Sequence, residues 1–189
     1  VRYHRDDVVR KAIEVLDEYG LESLTMRRLA TELGVQPSAL YHHVPNKQTL
    51  LAAIADEIVA RGRRTERASE WDRRVVEICA ELRDAMLAYR DGAEVVVTAH
   101  TFGLGAVEPV SRLREALRAS GLPAGQVEIG TRALLHVVFG HTAEEQVALQ
   151  AASAGAIERD PQGADDFEHE LGLIVAGLRA TVHGVTGAP

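Results

Sequence analysis

The chain has 189 residues, 46% of them apolar and 4% aromatic, which allows a substantial core in one or two compact units. Abundant Ala, Leu, Val, Glu and Arg suit an all-α protein; the single cysteine, Cys79, excludes an internal disulfide, and no apolar run approaches the ~18 residues of a membrane span. The net charge of −7 argues against a uniformly basic nucleic-acid binder, yet residues 1–47 balance seven Lys and Arg against seven Asp and Glu, so the whole acidic surplus follows residue 47.

In chain order, Thr25 is a good N-cap, and Leu24 with Leu29 forms a hydrophobic staple around it. Leu29, Ala30 and Leu33 then recur at helical spacing and face inward. Gly34 ends this helix, because glycine tolerates positive φ. Pro37 falls at the start of a second helix, which Leu40 and Val44 hold on the core until Pro45 stops it. Asn46 can cap a third helix running to about Arg64, with Leu50, Leu51, Ile54 and Ile58 on its apolar face. After a polar stretch from Thr65 to Glu70, Val75, Cys79, Leu82, Met86 and Tyr89 mark one face of a long helix. Gly92, Gly103, Gly105 and Pro109 divide the next region into short pieces. Ser111 to Ala119 reads as a helix ended by Gly121, and Pro123 opens a long one through about Ala154. Arg159 to Gly163 reads as a loop, and Phe167, Leu171, Ile174, Val175, Leu178 and Val182 outline a final amphipathic helix. No repeat or strand pattern is present.

Two short helices around a glycine turn predict a helix-turn-helix, whose second helix enters the major groove of DNA. The side chains left outside are Gln36, Ser38, Ala39, Tyr41, His42 and His43, with Arg27 and Arg28 at the head of the preceding helix. Arg can donate twice to guanine, Gln can read adenine, and Ala can touch the thymine methyl. Tyr41, His43 and Lys47 suit phosphate oxygens, which fix register. Spacing alone is equally compatible with a plain helical hairpin, but the exposed aromatic and imidazole cluster favours DNA. Adjacent His42 and His43 point about 100° apart on a helix, so they make no joint metal site. Two other function classes remain open: a helical-bundle enzyme and a DNA-independent adaptor. Against catalysis, Gly103-Leu104-Gly105 lacks a preceding strand and a third glycine, and no His-Glu-x-x-His or paired-Cys motif occurs. No catalytic residue, metal or cofactor is expected, and Cys79 reads as a packing thiol.

The segment from Leu24 to Leu51, with its Leu-Gly-Val, Leu-Tyr-x-His-Val and Lys47 pattern, closely resembles the DNA-binding segment of the tetracycline-repressor family of transcriptional regulators. Ala12 to Leu16 and Gly20-Leu21-Glu22 are similar to that family's first helix and turn. The resemblance implies a three-helix reading domain over 1–47, a connecting helix at about 46–64, and a larger effector-binding and dimerisation domain over 65–189. It implies Arg27 as the base-reading arginine and Gln36, Pro37, Ser38 and Ala39 as the base-facing start of the recognition helix. Thr25, Tyr41, His43 and Lys47 correspond to backbone-contacting positions; Met26 and His42 depart from the family's namesake, so its operator does not carry over.

More weakly, Tyr89 to Val95 and the His136, Phe139, Gly140, Glu144-Glu145-Gln146 pattern are similar to the namesake's own subfamily, where a histidine and a glutamate help hold a tetracycline–magnesium chelate. Here Val96 replaces the histidine while Glu144 matches the glutamate, so a different small molecule is expected. Candidate effector residues are Met86, Tyr89, His100, Phe102, His136, Phe139, His141 and Glu144. The family's last two long helices pair with a second copy in a four-helix bundle. A homodimer on double-stranded operator DNA is therefore expected, which also doubles the bases contacted. The implied function is a ligand-responsive regulator, most simply a repressor. With neither a signal-peptide pattern nor a membrane span, a cytoplasmic location is expected, and a first residue other than Met leaves room for a further N-terminal arm.

Overall fold

The computed structural model describes residues 4–65, 67–158 and 163–186, and within them the regular structure is entirely helical. The helices are α1 (Arg5–Tyr19), α2 (Met26–Leu33), α3 (Pro37–Tyr41), α4 (Lys47–Gly62), α5 (Trp71–Leu87), α6 (Gly92–Thr101), α7 (Val107–Ala119), α8 (Ala124–Ser153) and α9 (Gly163–Thr186). None of the described helices is long and apolar enough to cross a membrane.

The chain divides into two compact units, one of Val1–Gly62 with Asp84–Val107 and one of Arg63–Arg83 with Glu108–Pro189. The first therefore takes in α6 as well as the four N-terminal helices, and α5 passes from one unit to the other. Its core joins Val8, Ile13 and Leu16 of α1, Leu29 of α2, Leu40 of α3, Ile54 and Ile58 of α4, and Val95 and Val96 of α6, all fully or almost fully buried. The α6 helix is held at both ends. At its start, Asp91 Oδ2 accepts from the Leu21 amide at 2.7 Å and Asp17 accepts from the Arg90 amide at 3.0 Å. Beyond its end, the Ala106 amide donates to Asp56 of α4 at 2.8 Å. Asp91 and Ala106 are the two non-glycine residues with positive φ among the described residues, so both corners carry backbone strain.

The second unit packs Val75, Ile78, Cys79 and Leu82 of α5, Leu113 and Leu117 of α7, Leu134 and Val138 of α8, and Phe167, Leu171 and Val175 of α9. Arg112 and Glu81 form a buried ion pair, and the other Glu81 oxygen accepts from the Arg64 amide at 2.8 Å. Arg83 pairs with Glu145 through two hydrogen bonds of 2.6 and 2.8 Å. On α9, Arg179 pairs with Asp72 at the start of α5. Cys79 is fully buried, and burial pushes its thiol pKa up to about 12.

Several boundaries differ from the sequence expectation. The regular part of α3 ends at Tyr41, three residues before Val44. Pro45 displaces Val44 from the helical region, and one last turn closes through the Val44 amide on the Leu40 carbonyl at 2.8 Å. Helix α4 stops at Gly62, two residues short of Arg64, where the Arg64 amide turns to Glu81. The region expected as short pieces around 92–109 holds one proper helix, α6, and the first turn of α7, which starts at Val107 rather than at Ser111. Gly92 begins α6, and Pro109 sits in the first turn of α7, where a missing amide costs nothing. Of the expected loop at 159–163, residues 159–162 lie outside the described residues and Gly163 begins α9.

Candidate nucleic-acid interface

The turn between α2 and α3 is built from local chemistry. Thr25 caps α2, its Oγ1 accepting from the Arg28 amide at 3.1 Å. Leu24 and Leu29 are completely buried on either side of that cap. At the other end Gly34 adopts the left-handed conformation at φ 66°. Its amide reaches the Thr31 carbonyl and the Val35 amide reaches Ala30, both at 3.0 Å, which is the paired closure of a Schellman motif. Gln36 stands at the N-cap of α3 and Pro37 at its first position. Asn46 caps α4 by accepting from the Thr49 amide at 2.8 Å.

This scaffold buries Leu40 and Val44 and leaves Gln36, Ser38, Ala39, Tyr41, His42 and His43 exposed. Tyr41 is 50% exposed, which leaves half of a large ring in water. Thr25 and Arg27 are exposed too, while Arg28, Pro37 and Lys47 are half-buried. Between residues 25 and 47 only Glu32 opposes Arg27, Arg28 and Lys47. The structure separates the two arginines. Arg27 projects from α2 with no carboxylate within ion-pair distance among the described residues. Arg28 lies on the ring of Tyr19, its guanidinium carbon 3.6 Å from the centroid, with Glu32 3.9 Å from its Nε. Sequence reasoning passed over Tyr19, since nothing local ties the end of α1 to the third residue of α2.

The effector candidates divide between the units. Met86 is buried, Tyr89 accepts from Arg61 at 3.3 Å, His100 is half-buried, and Phe102 is 63% exposed; all four belong to the first unit. His136, Phe139, His141 and Glu144 lie on α8 in the second, with His136 and Glu144 exposed. His141 faces α9, its Nδ1 3.1 Å from Glu170 and its ring centroid 5.2 Å from that of Phe167. A cleft of about 430 Å³ in the first unit, lined by Arg5, Arg10, Asp56 and Glu57 among others, includes none of these candidates. Nor does one of about 530 Å³ in the second unit, beside Trp71, Asp72 and Arg179.

Residues 8–54 match the bacterial regulatory proteins of the tetR family, and residues 65–164 match the tetracyclin repressor-like C-terminal domain. Among curated proteins, the chain is 31% identical to the tetracycline repressor protein class C of Escherichia coli, over 94% of this chain and 91% of that one. Among solved structures, Mycobacterium smegmatis BioQ is 42% identical with a TM-score of 0.89, covering 95% of this chain and 99% of that one. BioQ with its double-stranded DNA operator is 40% identical with a TM-score of 0.83, at the same coverage. An exposed recognition helix on a glycine turn, followed by a helical body that matches separately, identifies the chain as a member of the tetracycline-repressor family of ligand-responsive, DNA-binding transcriptional repressors.

Proposed function

We propose that the protein is a homodimeric repressor whose two α3 helices enter successive major grooves of an operator and leave it when a small molecule binds the helical body. The observation that carries this reading is the exposure of Gln36, Ser38, Ala39, Tyr41, His42 and His43 around a helix anchored only by Leu40 and Val44. Residues 1–47 do the reading, and residues 65–189 take the effector and the second copy. Arg27 and the start of α3, Gln36 to Ala39, read base edges. Thr25, Arg28, Tyr41, His42, His43 and Lys47 serve the DNA backbone. In α8 and α9, Ile129, Val147 and Leu173 are apolar and exposed, and a Cβ on Gly140, Gly172 or Gly177 would meet nothing. That outward face of small and apolar residues suits close approach by the same helices of a second copy.

The effector acts by its differential affinity for the two conformations of the dimer. Val96 is buried and apolar where the family resemblance puts a magnesium-linked histidine, which supports an effector other than tetracycline–magnesium. The direct test uses a duplex selected from genomic fragments by the wild-type protein. Arg27→Ala is expected to cost about 1–3 kcal/mol per half-site and to relax discrimination at one base pair. Unchanged affinity and specificity would remove Arg27 from base reading.

A further inference from the structure

We propose that Tyr19 is a positioning residue for operator binding, a flat shelf that holds Arg28 ready for a DNA phosphate. The inference rests on the DNA-binding reading above and adds a residue to it that lies outside the helix-turn-helix.

Three observations converge on the shelf. The Arg28 guanidinium carbon stands 3.6 Å from the Tyr19 ring centroid, a face-on cation–π contact. Arg28 Nε is buried with no hydrogen-bond partner, and its nearest carboxylate, Glu32, is 3.9 Å away, beyond hydrogen-bond reach. The Arg28 amide is fixed separately by the Thr25 hydroxyl at 3.1 Å. The side chain is thus oriented by a ring without being neutralised by a bidentate carboxylate, as Arg83 is by Glu145. A stacked arginine has already given up much of its rotamer freedom and keeps its charge, so an external anion meets a pre-organised partner. Beside the exposed Thr25 and Arg27, and in a protein of net charge −7, the anion of matching chemistry is a phosphate of the duplex that Arg27 reads.

The experiment measures affinity for the selected genomic duplex as a function of salt for wild type, Arg28→Ala, Tyr19→Ala, Tyr19→Phe and the Tyr19→Ala/Arg28→Ala double variant, with thermal unfolding of each. Arg28→Ala is expected to lower affinity about tenfold on every operator variant alike and to flatten the log–log salt slope by about 2 for the dimer. Tyr19→Ala is expected to lose about three- to tenfold, Tyr19→Phe to regain wild-type binding, and Tyr19→Ala to add nothing once Arg28 is gone. Should Tyr19→Ala fail to fold, Tyr19→Leu replaces it, keeping bulk without a ring face. The shelf is overturned by wild-type affinity in Tyr19→Ala, by a loss that persists in the Arg28→Ala background, by Tyr19→Phe behaving like Tyr19→Ala, or by a loss concentrated at one base pair. A wild-type protein with no salt-dependent affinity for any duplex would overturn the DNA-binding reading itself, a result separate from these.

Discussion

Gly34 shows how much of the reading head one residue decides. Its φ of 66° lets α2 stop and α3 start within three residues, and a Cβ there would touch nothing. Gly34→Ala is therefore expected to cost about 1 kcal/mol of backbone strain alone, without steric damage, measured by urea unfolding. Thr25→Ala removes the α2 cap and is expected to cost about 1 kcal/mol by the same measurement. Both residues were legible in the sequence because caps and turns are local: the residue type and its immediate neighbours settle the geometry. Arg28 was legible as a DNA-facing arginine, not as a stacked one. Its partner Tyr19 comes from another helix, and no pattern of spacing announces a ring under a guanidinium.

At the scale of elements, periodicity gave α5 and α9 their faces, while tertiary contacts set where helices begin and end. The chain after α3 cannot run on into α4 as one helix because Pro45 acts on the residue before it, and α6 is a full helix with its two strained corners held from outside. Asp91→Ala would leave the Leu21 amide without its acceptor and put alanine at positive φ; a loss of about 2 kcal/mol is expected in chemical denaturation. The α5–α9 pair adds a pH dependence. Burial pushes the Asp72 carboxyl up, but hydrogen bonding and charge from Arg179, with the Arg73 amide, outweigh it and hold the group below its ordinary value. A depressed carboxylate contributes stability above about pH 4, and that contribution drains away as pH falls through the lowered value. The thermal midpoint between pH 5 and 2 should fall more steeply in wild type than in Asp72→Asn.

Across the whole molecule, an even charge balance up to residue 47 and an acidic surplus beyond it favour one face for DNA and discourage the rest. The proposed division into reading and effector segments came from the family resemblance, composition adding only the change of charge balance at residue 47, and the compact units cut the chain elsewhere, because α6 packs with α4. Effector residues were the least legible, since a histidine or phenylalanine at helical spacing serves core and ligand equally well. Leu173, 75% exposed on α9, is the residue to charge. Leu173→Glu is expected to shift the protein toward monomer in light scattering and to weaken operator binding while leaving the helical content intact. The sealed thiol of Cys79, at about 12, has a practical corollary. It is nearly all protonated at neutral pH and out of reach of maleimides, so the native chain is chemically silent. A cysteine introduced at a surface site, one per protomer, would then take a fluorophore alone, and the separation of the two dyes would report head spacing with and without effector.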